Sequence, residues 1–110
     1  PFGVSGPRNV RVLSGFRISA QWSAPSGHGG ELTKFILRAT DRANSSAVVE
    51  ALFEPDMYSG EITNAVPFTN YSVTFVACTA GGCPESEDFV DVTTNEEGTA
   101  ILLKNSKLKL

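Results

Sequence analysis

An all-β, seven-stranded antiparallel sandwich is the fold that the sequence predicts, and three observations predict it. Seven short segments alternate apolar with polar residues at the two-residue period of a strand. Turn-forming Gly, Pro, Asn, Asp and Ser residues separate them, and no window before residue 95 sustains helical spacing.

The elements follow in order. Val10 and Val12 flank Arg11 in a short first strand. Phe16, Ile18, Ala20 and Trp22 then alternate with Arg17, Ser19 and Gln21, the pattern of a half-buried strand. Pro25 and the run Ser26 to Gly30 break regular structure and form a loop. Phe35, Leu37 and Ala39 make the third inward row, with Lys34, Ile36, Arg38 and Thr40 on the opposite face; Asp41 to Ser46 is a polar turn. Ala47 to Phe53 is a fourth strand closed by Glu54-Pro55-Asp56, and Tyr58, Gly60 and Ile62 form a fifth row weakened by its glycine. Tyr71, Val73, Phe75 and Ala77 share one face of the sixth strand, which runs into a glycine-rich turn bracketed by Cys78 and Cys83. Val90, Val92 and Thr94 are the last row.

Composition sets the bounds. A chain of 110 residues with 41% hydrophobic and 19% charged residues is the size of one globular domain. No apolar run approaches the roughly 20 residues that span a bilayer, so direct membrane insertion is not expected. No secretory leader is visible and the first residue is Pro1, so the chain reads as a piece of something longer. A net charge of −3 from 12 acidic and 9 basic residues, spread thinly, lacks the basic patch that nucleic-acid phosphates require. The domain organisation expected is an irregular lead-in over 1–5, one sandwich domain over 6–94, and a linker or tail over 95–110. That tail carries five large aliphatic residues and three lysines, a composition that also suits a groove or a membrane surface.

Cys78 and Cys83 read as a disulfide that pins a hairpin, which places the domain outside the cytosol. A C-x4-C pair is also half of a metal site, but no second Cys or His cluster completes four ligands and the single His28 lies far off in sequence.

Pro7 before the first strand, Trp22 closing the second, Phe35-Ile36-Leu37 in the third, Pro67 four residues ahead of Tyr71, and Gly82 with Ser86 around the last hairpin together resemble the fibronectin type III domain family. The resemblance covers about residues 6 to 94 and implies an immunoglobulin-like sandwich. Trp22 on the second strand, with no cysteine on that strand, separates it from antibody-type domains. By the same resemblance, Tyr71 supplies a tyrosine corner, its ring in the core and its hydroxyl bonded to backbone a few residues upstream. Ala65 stands where the family usually has leucine, which leaves Val66 or Phe68 to pack that corner.

Candidate sites are few. The tip Thr79-Ala80-Gly81-Gly82 is either a staple that fixes hairpin register or a loop presented to a partner. Ile36, Val76 and Phe89 fall on outward faces by alternation and are expected to be either covered at an edge or a contact surface. Asn44-Ser45-Ser46 and Asn70-Tyr71-Ser72 fit the glycosylation sequon, with Asn44 in the more open position. Glu85, Glu87, Asp88 and Asp91 match no calcium loop and read as a solvated strand edge. Gly27-His28-Gly29-Gly30 resembles the oxyanion loop of esterases, yet no G-x-S-x-G elbow supplies a nucleophile. No cofactor, metal or catalytic residue is expected. The family resemblance implies a non-catalytic extracellular spacer and protein-interaction module of a multidomain adhesion, matrix or receptor protein, its partners being a protein and the neighbouring domains. The alternative is an accessory sandwich in a secreted enzyme.

Overall fold

Two antiparallel sheets account for every strand in the computed structural model, which describes residues 4–25 and 31–95. The glycine-rich loop around His28 and the tail beyond Asn95 lie outside the described residues. Strands β1 (Arg8–Val12), β2 (Ile18–Gln21) and β5 (Ser59–Ile62) form a three-stranded sheet in the order β1-β2-β5. Strands β3 (Leu32–Asp41), β4 (Val48–Phe53), β6 (Asn70–Thr79) and β7 (Val90–Thr93) form a four-stranded sheet in the order β4-β3-β6-β7.

Alternation sets the core. Phe35, Leu37 and Ala39 of β3 and Tyr71, Val73, Phe75 and Ala77 of β6 point inward and meet Ile18, Ala20 and Ile62 of the facing sheet. Trp22 is 1% exposed at the centre of this layer. Its ring stacks on Phe75 with centroids 5.5 Å apart and lies 4.9 Å from Phe53, while its indole N–H donates to the Met57 carbonyl at 2.8 Å. A buried indole thus has both its apolar body and its one donor satisfied.

Gly60 has a packing reason that alternation does not reveal. A Cβ there would stand 2.2 Å from the Phe53 ring, so the missing side chain is what lets Phe53 reach across the sheets to Trp22.

Two inward expectations fail at strand ends. Phe16 is 41% exposed because the turn ahead of β2, held by Leu13 N–H donating to the Arg17 carbonyl, carries it out of the strand. Tyr58 is 48% exposed because β5 begins only at Ser59, although its ring still leans on Phe35 at 5.9 Å.

The chain enters and leaves at opposite poles. Arg8 pairs with Gln21 at the end of β2, whereas Thr93 pairs with Asn70 at the beginning of β6. Because Leu32 at the start of β3 pairs with Thr79 at the end of β6, the cysteine hairpin lies at the entry pole.

Candidate functional site

The hairpin tip is built by backbone pairing. Thr79 N–H donates to the Gly82 carbonyl at 2.9 Å and Gly82 N–H to the Thr79 carbonyl at 3.2 Å, leaving Ala80-Gly81 as a two-residue turn. Gly82 has φ of +150°, a conformation that an L side chain rarely adopts. One residue further from the tip, Cys78 and Cys83 face each other with Cα atoms 4.1 Å apart, the spacing of a non-hydrogen-bonded pair, and are joined by a disulfide. Ala80, Gly81 and Gly82 are exposed, while Thr79 is buried with its hydroxyl accepting from Gly81 N–H at 3.1 Å.

The three outward apolar residues part company. Ile36 and Val76 point to the outer face as alternation requires, yet they are 7% and 0% exposed and pack with Cys78 in a small second cluster. They are therefore not an accessible contact surface. Beside them, pairing continues past the hairpin: Val76 bridges Glu85, and Ser86 N–H donates to the Phe75 carbonyl at 2.8 Å. Phe89, just before β7, is 57% exposed. Leu52, paired with Ile36 across the β3–β4 ladder, is exposed on the same outer face.

Two of the four acidic residues after the hairpin, Glu85 and Asp91, have basic partners. Glu85 reaches Arg38 at 3.2 Å and accepts from the Thr74 hydroxyl, while Arg38 also pairs with Glu50. Asp91 pairs with Arg42 at 3.3 Å. The register supplies the rule that sequence spacing hides: Glu50, Arg38 and Thr74 are cross-strand neighbours in one row. On the other sheet Arg17 makes two 3.0 Å bonds to Glu61, whose hydrogen bonding and charge push the guanidinium pKa up.

An open polar trough of about 430 Å³ runs along the three-stranded sheet, lined by Asn9, Arg11, Ser19, Gln21, Ser59 and Glu61. Among the described residues no three His, Cys, Asp or Glu side chains gather as a metal site. No described helix is long and apolar enough to cross a membrane.

At the exit pole Tyr71 makes the corner. Its ring is 2% exposed and its hydroxyl accepts from Val66 N–H at 2.9 Å. Val66 and Phe68, expected to pack the corner, are instead 56% and 70% exposed, and Ala65 is the buried residue. The corner is closed by Thr94, 2% exposed, whose hydroxyl donates to the Val66 carbonyl at 2.7 Å and accepts from Thr69 N–H at 2.9 Å. Strand alternation put Thr94 inward, but only the fold shows the carbonyl it meets.

The two sequons differ in setting. Asn44 lies in the exposed turn between β3 and β4. Asn70 is exposed at the first position of β6, with its side-chain oxygen accepting from the Thr93 hydroxyl.

Comparison with known proteins agrees with this architecture. No family model matches the chain. Usherin from Homo sapiens is 34% identical over 103 residues, which is 88% of this chain and 2% of that protein. Usherin from Mus musculus is 28% identical over 117 residues, 96% of this chain and again 2% of the relative. The chain thus spans about 2% of the length of the curated relatives it matches. Among solved structures, the fn3 domain of human contactin 1 superposes with a TM-score of 0.69 at 24% identity, covering 88% of this chain and 82% of that one. The FN5 domain of Drosophila Lar gives 0.67 at 19% identity, covering 86% and 99%. With seven strands among the described residues in a three-on-four sandwich, a tyrosine corner and a stretch of usherin as a sequence relative, the chain has the fibronectin type III fold.

Proposed function

We propose that this domain is a non-catalytic extracellular spacer and protein-interaction module within a larger adhesion, matrix or receptor protein. The observation that carries the reading is the polarity of the chain path: it enters beside β2's end and leaves beside β6's start, so the sandwich sets a fixed distance between whatever precedes and follows it. The Cys78–Cys83 disulfide supports the extracellular placement, because such bonds persist in oxidising compartments. Similarity to a short stretch of usherin, a much longer chain, supports a place among other modules. The exposed surfaces offered to a partner are the tip residues Ala80, Gly81 and Gly82 together with Phe89, with Leu52 apart on the outer face of β4.

The test is surface labelling of cells that express the parent protein, using an antibody raised against the folded domain. Labelling of intact cells, with Cys78 and Cys83 resistant to alkylation until reduced, is the expected result. Labelling only after permeabilisation, or freely alkylated thiols, contradicts the extracellular reading.

A further inference from the structure

Two sequons share this domain, and their surroundings are not equivalent. Around Asn44, Asp41 N–H donates to the Ala47 carbonyl at 3.0 Å and Ala47 N–H to the Asn44 carbonyl at 2.9 Å, so the turn is fixed at its base. Every residue from Arg42 to Val48 is exposed. Within the sequon, the Ser46 hydroxyl donates to Asn44 Oδ1 at 2.7 Å and Ser46 N–H donates to the same oxygen at 3.2 Å. Both bonds polarise the side-chain carbonyl and leave Nδ2 without a protein acceptor among the described residues.

Asn70 has the opposite setting. Its Oδ1 is taken by the Thr93 hydroxyl of the neighbouring strand, and its own sequon hydroxyl, Ser72, donates to Asp91 at 3.3 Å rather than to Asn70. Its backbone carbonyl holds Arg42 N–H at 2.9 Å, and the next residue is the buried Tyr71. The Asn70 side chain is thus held through its Oδ1 against β7 and not by the hydroxyl of its own sequon.

From this contrast we infer that Asn44 is an N-glycan attachment site and that Asn70 stays bare. The inference rests on the extracellular reading above, since the modification belongs to the secretory pathway. In the transfer, Asn44 Nδ2 attacks the anomeric carbon of an oligosaccharide carried on a polyprenyl diphosphate. A C–N bond forms, the anomeric C–O bond to phosphate breaks, the lipid diphosphate leaves with the electron pair, and one amide proton passes to a base. The product remains an amide, with no change of oxidation state. Its sugar projects from the turn that opens β4, an edge strand of the four-stranded sheet.

The test is to secrete the whole 110-residue chain from animal cells behind an added signal peptide and to map glycans by peptide mass spectrometry before and after treatment with an amidase that releases N-glycans. Expected is one released glycan with Asn44 converted to aspartate, lost in Asn44→Gln and in Ser46→Ala, and retained in Ser45→Ala and Asn70→Gln. These substitutions sit on exposed positions, and circular dichroism of each secreted variant shows that it is folded. Secreted chain with Asn44 unmodified, or any glycan on Asn70, overturns the inference. Because the added signal peptide forces entry to the pathway, such a result leaves the extracellular reading standing, and that reading is tested separately by the surface labelling.

Discussion

The Tyr71 hydroxyl and the Val66 amide are joined by a 2.9 Å hydrogen bond that ties the loop before β6 to the core. Thr94 grips the other side of the same residue through the Val66 carbonyl at 2.7 Å. Two buried hydroxyls thus satisfy both polar groups of one exposed residue's backbone.

Removing one hydroxyl leaves a part-buried group unpaired. Tyr71→Phe is expected to lower stability by about 1–3 kcal/mol, and Thr94→Val by a similar amount. Urea unfolding of both single variants and the double variant checks this, and the losses are expected not to add, since both act on Val66.

Gly60→Ala drives a methyl group into the Phe53 ring. Overpacking of this kind costs about 1–3 kcal/mol. Pairing it with Phe53→Leu removes the clashing ring, so the double variant is expected to lose less than the sum of the two single losses in thermal unfolding.

Phe68 is 70% exposed and holds φ of +56°, a region that disfavours most L residues by about 1–2 kcal/mol. Phe68→Asn or Phe68→Gly is therefore expected to leave stability unchanged or raise it. A clear drop in melting temperature contradicts the placement of this ring outside the core.

The disulfide closes a short loop, and by loop-closure entropy it stabilises by less than the roughly 3 kcal/mol of a 15-residue loop. Its effect is expected to be local. Amide exchange after reduction is predicted to quicken at Thr79 and Gly82 while Ser19 and Glu61, in the other sheet, keep their protection.

Strand periodicity was legible wherever a segment faced one core. Phe35, Leu37 and Ala39 against Lys34 and Arg38 made β3 readable, and the structure buries the first three completely. It failed where burial depends on neighbours distant in sequence. Ile36 and Val76 point outward, but pairing in the middle of a four-stranded sheet and packing beside Cys78 cover them. Gly60 looked like a weak link in a strand because only the opposing Phe53 explains its lack of a side chain. Val66 or Phe68 is expected in the corner because Ala65 stands where the family usually has leucine. Hydrogen-bonding demand decided otherwise, with Thr94 filling the place where a donor to a carbonyl was needed. The arginine partners of Glu85 and Asp91 likewise follow from strand register, which no spacing along the chain encodes.

The central claim is that the two sheets close over Trp22, the chain's one tryptophan. Proton NMR of the native protein tests it most directly. The account predicts an indole N–H protected from solvent exchange, with cross-relaxation from the indole ring to Phe53 and Phe75. An indole that exchanges as fast as in the unfolded chain, without those ring contacts, contradicts it.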